Sequence, residues 1–215
     1  MLFAVLTFRA LVPPDPFRRA LGLFLVGFAL TAFLGGTVHG FFPDENALAY
    51  QVLWRATLLA LGFTALAGWW MGSSLVLSGG AARVVTLLAL AAFVVYAAVI
   101  LFVAQTFLVA VIHYLPATVF VLIAFAVTFA RTRAKPALHG TIGLVLTFVA
   151  AGIQTAGVGI HPVYFDHNAL YHVVQGVAIV FIYLSGRGAP PLAARERHRR
   201  SPTQVRDREI RQQLL

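Results

Sequence analysis

Apolar stretches alternate with short polar segments along almost the whole chain. A membrane-spanning helix needs about 20 apolar residues, because each adds about 1.5 Å towards a hydrocarbon thickness of about 30 Å. We therefore expect an all-α fold, a polytopic transmembrane helical bundle. The pattern predicts six complete spans: Phe17 to about His39, about Asn46 to Leu75, Ala82 to about Val103, Thr106 to Ala130, Ala137 to Gly159 and Asn168 to Ser185.

The turn between the third and fourth spans is the least marked, because residues 84–130 are almost continuously apolar. One candidate turn lies near Gln105 and Thr106. Another lies at residues 113–116, where Pro116 disfavours helical geometry in the residue before it. Both alternatives leave His113 on the same side of the membrane.

The two ends of the chain differ from the spans. Residues 1–12 form an apolar run too short to cross a bilayer, which predicts either a short interfacial helix or the second half of a truncated seventh span. The apolar pattern stops after Gly186. We expect a transmembrane helical domain over residues 1–186 and a basic cytoplasmic tail over residues 187–215, disordered or lying on anionic headgroups.

Composition agrees with this class, since 60% of residues are hydrophobic, 11% are charged and the mean hydropathy is +0.86. The net charge of +9 does not indicate nucleic acid, because the basic residues cluster between spans, where the positive-inside rule accounts for them. The expected partners are membrane lipids, one of them a substrate. The chain has no cysteine, so a metal ion would need nitrogen and oxygen ligands.

Basic residues also predict the orientation. With the first span running outward, all basic residues near the spans except Arg55 fall on one side, which is then cytoplasmic and holds the C-terminus. A bacterial inner membrane is the expected location.

Titratable side chains collect on the opposite, extracytoplasmic side, where five of the seven histidines and three of the seven acidic residues lie. Three neutral imidazoles and one open position make the ligand set of a catalytic zinc ion. We expect His39, His167 and His172 to be the ligands. Asp44 or Asp166 would orient a ligand or accept a proton from metal-bound water.

The spacing of the last two histidines restricts this hypothesis. His167 and His172 are five residues apart, which is about 140° around a regular helix, so both can bind one ion only if the helix begins after His167. Asn168 suits the N-cap position. We therefore predict that the last helix starts at Asn168 or Ala169, and that His172 approaches His39.

Two further polar residues are candidate substrate contacts. Arg55 lies deep in the second span and either binds a carboxylate or phosphate, pairs with Asp44 or extends towards the interface. Gln175 either lines the same cavity or links two helices by a hydrogen bond.

These motifs resemble those of the superfamily of seven-span membrane hydrolases that includes alkaline ceramidases and progestin/adiponectin receptors, whose zinc is bound by one histidine late in the second span and two early in the seventh. GGTVHG, with His39, matches the first motif. DHNALYH, with His172 and His167, matches the second, but its spacing is HxxxxH where the family has HxxxH, and Gly35 replaces a serine. DHNALYHVVQ also resembles an uncharacterised bacterial membrane-protein family.

The resemblance implies a zinc-dependent, ceramidase-like hydrolase of a lipid amide or ester. The alternative is a membrane protein without enzymatic activity, either a haem or metal carrier or a small-solute transporter. Haem would need two histidines on facing helices, for which His39 and His113 are the candidate pair. A structural protein with incidental histidines is a third interpretation.

Overall fold

The computed structural model describes residues 15–162 and 164–187. Every helix in this part of the chain is long and apolar enough to cross a membrane, which confirms the predicted all-α bundle of six spans in an integral membrane protein. The predicted N-terminal helix and nearly all of the predicted tail lie outside the described residues. The helices are α1 (Pro16–Phe41), α2 (Leu48–Val76), α3 (Gly79–Phe102), α4 (Phe107–Thr132), α5 (Lys135–Ala156) and α6 (His167–Leu184).

Local sequence explains where several helices begin and end. At the start of α1, the Asp15 carboxylate accepts the Phe17 N–H at 3.0 Å, and Pro16 occupies the first helical position, which needs no N–H donor. At the end of α5, Gly157 adopts φ +67°, a left-handed conformation that glycine reaches without steric cost.

The turn between α3 and α4 falls at residues 103–106, the earlier of the two predicted positions. The Trp54 indole N–H donates to the Gln105 carbonyl at 2.9 Å, so a side chain of α2 holds this turn. Pro116 remains inside α4. Such prolines are tolerated in membrane helices because neighbouring groups satisfy the freed backbone carbonyl.

Short connections alternate between two ends of the bundle. One end, here called the histidine end, carries the loops at residues 42–47, 103–106 and 157–166, with His39 and His172 nearby. The other is called the basic end. Its basic residues in the described chain are Arg18, Arg19, Arg83, Arg131, Arg133, Lys135 and Arg187.

The principal hydrophobic core lies in the half of the bundle nearest the basic end. It joins five helices, with Leu21 of α1, Met71 of α2, Phe125 of α4, Leu144 of α5 and Ile182 of α6 all buried. A smaller core, built around Leu58, Tyr96, Ile100 and Ala110, attaches α3 to α2 and α4.

Contacts between helices are uneven. The most extensive are α1 with α2 and α5 with α6; α4 packs between α2 and α5, whereas α1 and α6 touch at few positions. Small residues permit the close approaches, as expected where helices associate in a bilayer. A Cβ on Gly143 of α5 would lie 2.8 Å from the Ala178 carbonyl oxygen and 2.9 Å from the Ile182 nitrogen, both backbone atoms of α6.

Candidate functional site

The proposed ligands and acidic residues lie at the histidine end, as the sequence indicated, but in different local surroundings. His39 is in the last turn of α1, Asp44 in the following loop, and Asp166, His167 and His172 at the start of α6. Each position is therefore set by a helix end rather than by the middle of a span.

His39 is exposed and contacts an aromatic group on α2. Its ring meets Trp54 edge to face, with centroids 5.8 Å apart and an interplanar angle of 66°. Trp54 also stacks with Tyr50 and contacts Phe107. Because Trp54 is fixed by its hydrogen bond to Gln105, the end of α1 is positioned against both α2 and the turn before α4.

The start of α6 differs from the prediction. The helix begins at His167, and its N-cap is Asp166, whose carboxylate accepts the Ala169 N–H at 2.9 Å. The predicted start at Asn168 or Ala169 is wrong because a carboxylate slightly earlier in the chain caps the first turn and adds its negative charge to the positive end of the helix dipole.

This boundary separates two of the proposed ligands. With His167 and His172 both helical, their side chains leave the axis about 140° apart. Asp166, proposed as a base or orienting group, uses one carboxylate oxygen in the cap. Asp44 accepts the Asn46 N–H at 3.0 Å in the first loop and is exposed.

The loop before α6 is held by backbone hydrogen bonds between His161 and Phe165 and between Ile160 and Phe165. The His161 imidazole accepts the Tyr164 N–H at 3.1 Å. Such local bonding is typical of a loop-forming residue, and it leaves Asp166 and His167 close to the backbone of Gly159.

His172 is exposed, yet it lies on the inward-facing side of α6. Ile179, two turns further along, is buried in the principal core, and Gln175, one turn further, is buried as well. His172 therefore shares the side of α6 that carries Ile179, although its own side chain is exposed.

Gln175 forms an interhelical hydrogen bond. Its side-chain amide donates to the Thr147 hydroxyl of α5 at 3.3 Å. This is the linking role considered from the sequence, and it places a polar contact at the boundary between the principal core and the histidine end.

Two tyrosines beside this boundary were not singled out from the sequence. Tyr171 meets His172 edge to face, with ring centroids 4.8 Å apart, and Tyr114 lies in the first half of α4. The register of α6 is a signal that identifies Tyr171, since it precedes Gln175 by one turn. Tyr114 has no comparable signal, because α4 is apolar on nearly every side.

His113 and Arg55 belong to the region around α3. The His113 ring stacks on Tyr96 at 4.3 Å with an interplanar angle of 11°. His39, by contrast, contacts Trp54. The two histidines of the haem hypothesis thus have different aromatic partners, and Arg55 forms no ion pair with Asp44 in residues 15–162 and 164–187.

No group of three or more histidine, aspartate or glutamate side chains in the described ranges is arranged to hold a metal ion. Every proposed ligand lies within those ranges. The zinc hypothesis stays a prediction, and because His167 leaves α6 about 140° from His172, it depends on His39 and His172.

No curated protein and no solved structure matches the chain. A family model does match over residues 1–190, which is most of the sequence. The match includes all six helices and every candidate residue named above. The chain belongs to a family of unknown function, DUF6962.

Proposed function

We propose that the protein binds an amphipathic molecule from the bilayer in the half of the bundle nearest the histidine end. The observation that carries this proposal is a change in burial along single helix faces. Leu21, Leu144 and Ile179 are buried, whereas His39, Thr155 and His172, whole turns away on the same faces, are exposed.

The sequence separation within each pair places its two residues on the same face of their helix. His39 follows Leu21 by 18 positions, Thr155 follows Leu144 by 11 and His172 precedes Ile179 by seven, so each pair spans close to a whole number of turns. Three helices thus present inward-facing positions that stay exposed at the histidine end, although His39 contacts Trp54 of α2. We call this space the vestibule.

The polarity of the vestibule suits an amphipathic ligand. Phe28 on α1 and Phe148 on α5 lie nearer the core, while His39, Thr155 and His172 lie at the mouth. A lipid-like molecule would place its tail beside the phenylalanines and its polar group among the histidines. Apolar walls with a few polar groups are typical of small-molecule sites.

A route from the bilayer is provided by the seam between α1 and α6. These helices touch at few positions, and Leu21 of α1 lies beside Gly186, just beyond the end of α6 at the basic end. Nearer the histidine end, a Cβ added to Gly36 of α1 or to Gly176 of α6 would meet no atom within 4 Å. A ligand can therefore enter sideways without first crossing water.

The test uses a photoactivatable ceramide, which is amphipathic and has no phosphate, incorporated with the full chain into nanodiscs. We expect cross-linked peptides from α1 and α6 near the histidine end. Gly36→Trp fills the vestibule and should strongly reduce this labelling. The matched control, Gly80→Trp at the basic end, also begins from open space and should leave it unchanged. Labelling spread evenly over lipid-facing helices such as α3 would refute the proposal.

The second candidate function is zinc-dependent hydrolysis of a lipid amide or ester, favoured by the inward-facing positions of His39 and His172 at the same end of neighbouring helices. A bound zinc ion would supply an activated water, and the chain would bind and orient the lipid. We expect purified wild-type protein to contain zinc that is lost in His39→Ala and His172→Ala. Ceramide labelling without zinc would leave a binding protein and remove the hydrolase.

The orientation that we propose places the basic end in the cytoplasm, the vestibule outside it, and the protein in a bacterial inner membrane. The distribution of arginine between spans supports this assignment. A reporter fused after Leu215 should be active in the cytoplasm. An extracytoplasmic reporter signal would reverse the orientation without affecting the vestibule itself.

A further inference from the structure

Arg55 lies away from the vestibule, on the side of α2 that faces α3. Two contacts with Tyr96 of α3 identify this side of α2. The Leu58 carbonyl accepts a hydrogen bond from the Tyr96 hydroxyl at 2.7 Å, and a Cβ on Gly62 would overlap the Tyr96 ring. Gly62 follows Arg55 by seven residues, so the two share a side of the helix.

Arg55 lies in the first third of α2, towards the histidine end. It is the eighth residue of α2, which places its Cα about 10 Å from the helix start. Trp54 and Tyr50 precede it, and such residues are enriched at the level of lipid headgroups. An arginine side chain is long enough to extend from this depth towards the headgroups.

The guanidinium of Arg55 lacks a hydrogen-bond acceptor. Its Nε atom is buried and has no hydrogen-bond partner, and Arg55 takes part in no ion pair in the described ranges. The nearest acidic residues in sequence are otherwise engaged: Asp44 accepts the Asn46 N–H, and Glu45 lies 3.5 Å from the Tyr50 hydroxyl. A buried charged donor without an acceptor is costly.

We propose that Arg55 binds the phosphate of a phospholipid seated against α2 and the end of α3. A guanidinium donates hydrogen bonds to phosphate, and the two Nη groups of Arg55, unlike its Nε, are not buried by the protein. Leu101, Phe102 and Val103 are exposed at the end of α3 and offer apolar surface for an acyl chain. The ligand is the headgroup of a membrane lipid, with its tails in the surrounding bilayer.

The test is native mass spectrometry of the delipidated full chain titrated with phosphatidylglycerol. We expect one lipid to bind more tightly than the rest, and Arg55→Gln to weaken it by about tenfold or more, as loss of a charged hydrogen bond predicts. Arg55→Lys keeps the charge but loses the paired N–H donors of the guanidinium, so it should retain part of the affinity. Arg83→Gln, the matched control at the basic end, should bind like wild type.

Two further ligands separate the sources of the phosphate. Diacylglycerol with the same tails should not occupy the site, and millimolar inorganic phosphate should not displace the lipid. Displacement of the lipid by inorganic phosphate would mean that Arg55 binds a soluble anion, and it would overturn the lipid site. Equal lipid affinity in Arg55→Gln would overturn it too. If Arg55→Gln does not elute as a single species in size-exclusion chromatography, unchanged affinity in Arg55→Lys overturns the proposal and reduced affinity supports it.

Discussion

The two halves of the bundle use the same six helices in different ways. Near the basic end, five helices converge on a hydrophobic core in which Phe125 and Leu144 are buried. Near the histidine end, equivalent faces of α1, α5 and α6 carry exposed residues, and α1 and α6 have few contacts with each other. The difference teaches that close packing is concentrated in the half nearest the basic end, and the less packed half is the one in which we propose that a ligand binds.

The largest expected effect comes from removing a large side chain from the packed half. Phe125 is 1% exposed, and Phe125→Ala should destabilise the protein by about 3–5 kcal/mol through lost burial and a cavity. Phe33, 70% exposed on α1, is the matched control, and Phe33→Ala should change stability by less than about 0.5 kcal/mol. Thermal unfolding in detergent measures both. Equal effects would mean that the two halves are packed alike.

A smaller effect is expected from adding one methyl group. Gly143→Ala places a Cβ 2.7 Å from the Ile182 side chain and closer than 3 Å to the α6 backbone, so the two helices must separate at a cost of about 1–3 kcal/mol. Gly152→Ala, on the same helix nearer the histidine end, meets nothing within 4 Å. Chemical denaturation in mixed micelles should show destabilisation for the first variant and none for the second.

The smallest effect concerns the start of α6 in the open half. Asp166→Ala removes the cap on Ala169 and should cost about 1 kcal/mol, whereas Asp166→Asn retains a capping oxygen and should cost less. Hydrogen exchange of the first turn of α6 reports the change directly. Unaltered exchange in Asp166→Ala would show that the carboxylate does not hold the helix start and would return Asp166 to the catalytic hypothesis.

The sequence was sufficient to predict the six helices, because their lengths and the polar segments between them follow from the thickness of the bilayer. The turn before α4 needed the structure, since neither Gln105 nor Pro116 interrupts the apolar pattern decisively. Which side of each helix faces the bundle was harder still to predict. A helix that is apolar on all sides has no polar side to mark the lipid, so nothing in the pattern around Tyr114 or Leu144 indicates which side faces the bundle.

The candidate site was predicted in composition but not in arrangement. Clustering of His39, His167 and His172 at one end follows from the alternation of spans. Whether the His167 and His172 imidazoles can meet depends on where α6 begins. The helix begins at His167 because Asp166, and not Asn168, is its N-cap. Gln175 and Arg55 were recognised as unusual from the sequence. Gln175 bonds to Thr147, whereas the Nε of Arg55 has no acceptor. Both outcomes depend on helix rotation, which the sequence alone does not specify.

The uneven helix contacts also bear on the order in which the chain assembles. The two tightest pairs, α1 with α2 and α5 with α6, are neighbours in sequence, so each can form a stable hairpin soon after it enters the membrane. α3 and α4 touch each other far less, and α4 must find α2 across the intervening span. Assembly therefore depends on α4, which packs against α2 of the early hairpin and against α5 of the later one, so that the core around Phe125 is complete only when α5 and α6 have joined.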